Sequence, residues 1–238
     1  MKIALIGYGK MGKAIEEIAV EKKHEIVLKI DVDTAGQFTK ENILKADVAI
    51  EFTGPHSAFN NVSQCLQFGI PVVCGSTGWL DKWDEIKNLV NEKNGSLVYA
   101  SNFSIGVNLF FELNIYLAKL MSKHNNYNVL LEEIHHTHKK DSPSGTAITL
   151  ARQVLQQITQ KKKWINETSN NKEDLEIISK RIGEVPGTHS IKYTSPVDDI
   201  EIIHTAHSRM GFAGGAVLAA EFIIGKKGIF GMKEVLGL

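Results

Sequence analysis

The chain has 238 residues, and its 27 basic and 27 acidic side chains cancel to a formal charge of zero. That length can bury a real core in one large domain or two small ones. The neutral balance gives no footprint for nucleic acid or an anionic membrane. Hydrophobic residues at 43% and charged residues at 23% argue against disorder and fibres. No apolar run approaches the roughly 18–20 residues that span a bilayer, and Met1 to Ile6 is too short for a secretory core. Cys65 and Cys74 are too few for a disulfide framework and read as buried, inert thiols. A cytoplasmic protein is expected, with no nucleic-acid or membrane partner.

Short apolar runs and helical patterns alternate over the first hundred residues. Strands are expected at 2–6, 25–30, 48–52, 71–74 and 96–99, and helices at about 10–21, 57–68 and 82–92. Such alternation implies right-handed βαβ units and a parallel sheet. The rhythm then changes. A helix over about 106–124 precedes a strand at 128–136 and a helix over about 144–159. Residues 160–171, with Lys161-Lys162-Lys163, read as a solvated connection. Runs at 177–182 and 200–206 suggest strands of a second sheet, and 214–225 is an apolar helix. The expected fold class is an α/β Rossmann-like cofactor domain with a parallel sheet (1–103 and 211–238). An α+β domain is inserted at 104–210 for substrate binding and oligomerisation.

Gly7-Tyr8-Gly9-Lys10-Met11-Gly12 is a G-x-G-x-x-G between a strand and a helix. The first glycine turns the chain, the second admits a pyrophosphate, and the third lets helix pack on strand. Asp31 ends the second strand nineteen residues past Gly12, about where an acid takes the ribose hydroxyls of a dinucleotide. Thr53, Gly75-Ser76-Thr77 and Ala100-Ser101-Asn102-Phe103 follow later strands, on the edge where such sheets bind ligands. Small residues there leave room for a nicotinamide ring. The cofactor is expected to be NADH or NADPH. NADH is slightly favoured because no Arg or Lys follows Asp31, although Lys10, Lys13 and Lys29 could offset its repulsion of a 2′-phosphate.

The densest chemistry runs from Glu133 to Thr146, where His135, His136, His138, Lys139 and Lys140 crowd a strand-to-loop boundary. A zinc site through His136 and His138 lacks a Cys or carboxylate at a familiar ligand spacing, so no metal is expected. Ser144-Gly145-Thr146 opens a helix whose N–H groups and hydroxyl suit a carboxylate, although simple capping by Ser144 or Thr146 is the plainer alternative. His135 and Lys139 would lie about 13 Å apart in an extended strand, at ~3.3 Å per residue. The chain must therefore bend after about His136 if both serve one acidic substrate. Both are expected in a polar loop rather than on an apolar face.

The run His135-His136-Thr137-His138-Lys139-Lys140-Asp141-Ser142-Pro143-Ser144-Gly145-Thr146-Ala147 resembles the signature of the 4-hydroxy-tetrahydrodipicolinate (dihydrodipicolinate) reductase family, H-H-x-x-K-x-D-x-P-S-G-T-A. Ser142 stands where Ala is commoner. The resemblance extends to the glycine loop, to Gly75-Ser76-Thr77-Gly78-Trp79, to Asn102–Asn108 and to the tail Met232–Leu238. It implies a nicotinamide-dependent reductase of lysine and diaminopimelate biosynthesis, usually a homotetramer built through the sheet of the inserted domain. It also implies His135 as proton donor/acceptor, Lys139 as proton donor, and His136, Gly145 and Thr146 as contacts to a small dicarboxylate substrate. Two rivals share the cofactor half: a non-catalytic dinucleotide sensor, and an amino-acid dehydrogenase of similar plan. Neither needs the His135–Lys139 signature.

Overall fold

Strands buried on both faces read as continuous apolar runs. In the computed structural model, which describes residues 1–238, five strands of the first hundred residues and one near the C-terminus form one parallel sheet. They are β1 (Lys2–Ile6), β2 (Glu25–Ile30), β3 (Val48–Glu51), β4 (Val72–Cys74), β5 (Ser96–Tyr99) and β11 (Gly228–Phe230), in the order β11-β5-β4-β3-β1-β2. Of these, β1, β3, β4 and β5 come close to such a run, whereas β2 exposes Glu25 and Lys29. Side chains alternate between the faces of the sheet. Ala4 and Ile6 of β1 pack with Val62, Leu66, Ile86 and Val90 of α3 (Ala58–Gln67) and α4 (Trp83–Lys93). Ile3 and Leu5 pack with Ile15, Ala19, Val217 and Ala220 of α1 (Lys10–Glu21) and α7 (Met210–Ile223). Each fully buried Ile or Leu contributes about 1.5–3 kcal/mol. Short helices α2 (Lys40–Ile43) and α8 (Met232–Leu236) complete this unit. No helix is long and apolar enough to cross a membrane.

Residues Met1–Ile105 with Arg209–Leu238 form this first compact unit, and Gly106–Ser208 form the second. The second contains most of α5 (Ile105–Met121), α6 (Gly145–Gln157) and a mixed sheet of β6 (Asn128–His135), β7 (Lys163–Ile165), β8 (Asp174–Arg181), β9 (Gly187–Thr194) and β10 (Asp199–Ala206). Its order is β10-β9-β6-β8-β7. β9 runs antiparallel to β6 and β10, while β7, β8 and β6 are parallel. One face is covered by α5 and α6 through Phe110, Met121, Leu150 and Val154. Asn114, buried on α5, ties the helices by donating to the Leu150 carbonyl at 3.1 Å and to Gln153 Oε1 at 2.9 Å.

This sheet has two strands that periodicity did not show. In β9 the covered positions are Gly187, His189, Ile191 and Tyr193, so a glycine and a histidine break the apolar alternation. β7 has only three residues. The stretch read as a solvated connection therefore contributes β7, and Lys161 within it is buried, at 8% exposure. α7 begins earlier than its apolar pattern suggested, and β11 and α8 follow it.

Candidate active site

In the first sheet β2 flanks β1 on one side, and β3, β4 and β5 lie on the other. Loops beyond the strand ends at such a reversal are where open α/β sheets take ligands. Gly7 leaves β1 with φ +95°, and a Cβ there would stand 2.3 Å from the Phe52 carbonyl oxygen. Gly12, inside α1, would place a Cβ 2.4 Å from the Gly7 oxygen. Gly9 differs: it caps α1, and a Cβ on it would meet open space. Two glycines are thus demanded by the chain itself, while the third leaves a cradle at a helix start. A pyrophosphate fits such a cradle. Lys10 and Met11 form the first turn behind it.

The residues around this cradle are already engaged. Tyr8 donates its hydroxyl to Glu16, and Lys29 lies 2.6 Å from Glu16 Oε1 with its ammonium 4.7 Å over the Tyr8 ring. Asp31 follows β2 and caps a short helical turn, its Oδ1 accepting the Val32 N–H at 2.9 Å. At the end of β3, Glu51 is fully buried. It accepts the Thr53 N–H at 3.0 Å, the Thr53 hydroxyl and the Cys74 thiol at 3.1 Å. The Gly75 N–H donates to the Glu51 carbonyl at 3.0 Å. One residue therefore holds the loops after β3 and β4. Burial, aided by the Glu51 charge, pushes both cysteine thiols up beyond any ordinary titration. Ser76 is buried and Thr77 exposed, while Ala100 and Asn102 are half-buried beside exposed Ser101. Phe103 is 1% exposed, its ring against Phe52 with centroids 5.6 Å apart and its carbonyl against Gly215, so, contrary to expectation, it is not open to a ligand.

In the second unit the chemistry centres on the end of β6. His135 is its last residue, on the covered face and 7% exposed, so it does not sit in a polar loop as expected. Strand alternation puts it on the same side as Glu133, which is fully buried. The Ser144 N–H donates to both Glu133 oxygens at 3.1 Å, and Arg181 Nη2 lies 3.1 Å from Oε1. His135 Nδ1 is 3.2 Å from Oε2 but is not aligned for a hydrogen bond, so the carboxylate acts on that ring by charge. Burial pushes the Glu133 pKa up, but contacts from His135, Ser144, Ser179 and Arg181 outweigh it and hold the group well below the usual carboxylate range. His189, on β9, meets the His135 ring edge-on with centroids 5.0 Å apart, and its Nε2 shares a 3.0 Å hydrogen bond with Ser144 Oγ. Burial, then the charge of His135, lowers its pKa to about 4, so it is neutral at pH 7.

The strand stops at His135, and the Lys139 N–H bonds the His136 carbonyl at 3.1 Å to close a turn. Lys139 holds Asp141 with Nζ 2.8 Å from each carboxylate oxygen. Burial works against the charged Asp141, yet the Lys139 contact keeps its pKa lowered. His136 is half-buried, 6.4 Å from the exposed His138 ring. Ser144 caps α6, its Oγ accepting the Ala147 N–H at 3.2 Å. Gly145 and Thr146 form the first turn, and a Cβ on Gly145 would meet open space. Ligand atoms of Glu133, His135 and His189 lie within 4.8 Å of one another, a spacing a metal ion could bridge. The Arg181 guanidinium already supplies the positive charge there.

Residues 1–103 match the family described as Dihydrodipicolinate reductase, N-terminus, and residues 106–236 match Dihydrodipicolinate reductase, C-terminus. The chain belongs to the dihydrodipicolinate reductase family. It is 50% identical over 236 residues to a 4-hydroxy-tetrahydrodipicolinate reductase of Christiangramia forsetii, covering 99% of this chain and 98% of that one. A reductase of the same name from Methanocaldococcus jannaschii is 33% identical, over 98% of this chain and 81% of its own. The fold resembles a dipicolinate-bound dihydrodipicolinate reductase from Paenisporosarcina sp. TG-14, with TM-score 0.78, 22% identity and 98% coverage of both chains.

The sequence reading of this reductase gave no role to four residues around its expected sites: Glu51, Glu133, Arg181 and His189. Parity along the strands carries a signal for three. Glu133 follows Val129 and Leu131 at spacing two, His189 precedes Ile191 and Tyr193, and Glu51 ends an apolar strand. A polar residue in apolar register is informative. Arg181 has no such mark.

Proposed function

We propose that the chain reduces 4-hydroxy-tetrahydrodipicolinate to tetrahydrodipicolinate with a pyridine nucleotide, in lysine and diaminopimelate biosynthesis, as a cytoplasmic enzyme. One hydride and one proton enter, and water leaves the hydroxylated ring. The observation that carries this reading is His135, backed by Glu133 and His189, at the head of a loop that ends on an open helix start. The nucleotide, when bound, supplies the hydride. Gly9 and the start of α1 cradle its pyrophosphate; Thr53, Gly75-Ser76-Thr77 and Ala100–Asn102 line its nicotinamide end. His135 exchanges the proton, and the Glu133 charge balances its imidazolium. Lys139, steadied by Asp141, is the further donor. The Gly145 and Thr146 amides with His136 take the ring carboxylates. Ser144 belongs with them through its hydroxyl, which also caps α6.

Asp31 favours NADH. One of its oxygens is committed to the cap, leaving the other for a ribose hydroxyl, and Lys29 is tied to Glu16 rather than left for a 2′-phosphate. The test follows absorbance at 340 nm with the freshly formed substrate and either cofactor at matched ionic strength. Turnover is expected with both, at a kcat/KM for NADH equal to or above that for NADPH. Absence of oxidation refutes the activity, and a clear preference for NADPH refutes the role of Asp31. The second unit builds a homotetramer. Leu109, Leu113, Tyr116 and Leu120 form an exposed stripe along α5, and Ile203 on β10 is 59% exposed, surfaces that association would cover. Sedimentation velocity at assay concentration should give four times the chain mass.

A further inference from the structure

A cavity of about 800 Å³ lies in the second unit at the strand end remote from His135. Asn128 opens β6 beside it and His135 closes that strand, ~23 Å further along at ~3.3 Å per residue. Three buried polar side chains on its wall have bonding capacity that the protein does not fill. Lys161, 8% exposed, donates to Asn128 Oδ1 and to the Asp174 carbonyl, both at 2.8 Å. Both acceptors are neutral, and an ammonium carries three N–H groups. Asp174, 7% exposed, accepts the Ser169 hydroxyl on Oδ2 at 2.8 Å, but its buried Oδ1 has no hydrogen bond and its nearest cation, Lys163, is 3.8 Å away. The Tyr193 hydroxyl, on a residue 1% exposed, has no partner. Burial lowers the Lys161 pKa, while the charges of Glu176 and Asp174 pull it back up.

All three groups, with Asn128, line the same cavity. Lys161 bonds Asp174 directly and also bonds Asn128. The next residue of β6, Val129, is paired with Tyr193. Buried polar groups ordinarily find partners, and a buried cation resting on neutral oxygens is costly. We propose that this cavity binds a small zwitterion of the α-amino-acid class, its carboxylate taking the spare Lys161 N–H and the Tyr193 hydroxyl, and its ammonium bonding Asp174 Oδ1. The complement is specific: two donors for an anion and one acceptor for a cation, on a wall of three adjacent strands. No residue of the reaction centre takes part.

Calorimetric titration of the full chain with L-alanine, L-lysine, acetate and methylammonium tests this. At least one amino acid should bind saturably, with each half-ligand at least about tenfold weaker. Lys161→Met should weaken amino-acid binding at least about tenfold and Tyr193→Phe several-fold, both with basal turnover retained. Tyr193→Phe removes one oxygen and no volume of consequence, so it decides the matter even if Lys161→Met does not fold. Absence of saturable heat up to about 20 mM would leave the cavity a water-filled space and overturn the proposal. Acetate binding as tightly as the amino acids, or amino-acid binding unchanged in Tyr193→Phe, would overturn it too.

Discussion

His189 makes the second unit acid-sensitive in a way that can be isolated. It is 5% exposed, and its pKa is lowered from an ordinary 6.5 to about 4, by burial first and by the His135 charge second. A base whose folded pKa is depressed contributes stability that is fully present above the unfolded value and lost as pH falls through the folded one. Between these two pKa values the unfolded chain binds a proton that the folded chain refuses. At 1.36 kcal/mol per unit the contribution lost is roughly 2 kcal/mol by pH 5 and roughly 3 kcal/mol by pH 4. His189→Gln removes the titration at the cost of a reshaped bond to Ser144, about 1 kcal/mol at pH 7. The wild-type advantage should therefore shrink and then reverse on acidification. Two units need not unfold together, so native-state hydrogen exchange of β9 amides is the appropriate measurement, from pH 7.5 to 4. Equal pH slopes for the two proteins would refute the reasoning, because they would mean that His189 is protonated when folded.

The glycine loop offers a paired contrast. Gly12→Ala must displace the Gly7 carbonyl, 2.4 Å from the new Cβ, and should cost about 1–3 kcal/mol, read as a melting temperature lower by several degrees. Gly9→Ala meets nothing in the chain, so its melting temperature should hold while the cofactor KM rises at least several-fold; the reverse pattern would place the nucleotide elsewhere. Glu51→Gln cannot accept from Thr53 and Cys74 with both ends of its side chain. It should lower the melting temperature by about 4–10 °C and raise cofactor KM about 3- to 10-fold, and steady-state kinetics with unchanged KM would show that the Thr53 loop does not meet the nucleotide.

Much of the first unit could be read from the sequence because its central strands are apolar on both faces, and continuous runs such as Ile3–Ile6 and Val72–Cys74 stand out against their helices. The second sheet was harder because it is covered on one face only. There β6 alternates visibly, but β9 spends two of its four covered positions on Gly187 and His189, and β7 is too short to show a period. Lys161 could not be singled out from a run of three lysines, since its burial depends on Asn128 and Asp174, 33 and 13 residues away. The His135–Thr146 loop was legible as a constellation, but its scaffold was not. Glu133 meets Ser144 eleven residues on and Arg181 forty-eight residues on, distances that no local pattern spans.

Both units put a fully buried glutamate near the end of a strand and use its oxygens to hold the backbone of a loop that leaves the sheet: Glu51 takes the Thr53 N–H, and Glu133 takes the Ser144 N–H. A loop N–H at such a position has no strand partner, and leaving it buried and unbonded costs about 1–3 kcal/mol. An apolar residue would pack as well but could not accept it. The carboxylate thus converts an otherwise unsatisfied donor into a fixed anchor, and because it accepts more than one bond it sets the loop relative to a second element: Cys74 on β4 in one case, Arg181 on β8 in the other. Desolvating a charge is expensive, and replacing a buried ionic group by hydrophobes often stabilises a fold. Stability alone therefore does not account for either glutamate. What each supplies is a loop held in one geometry, which hydride transfer and proton transfer both require.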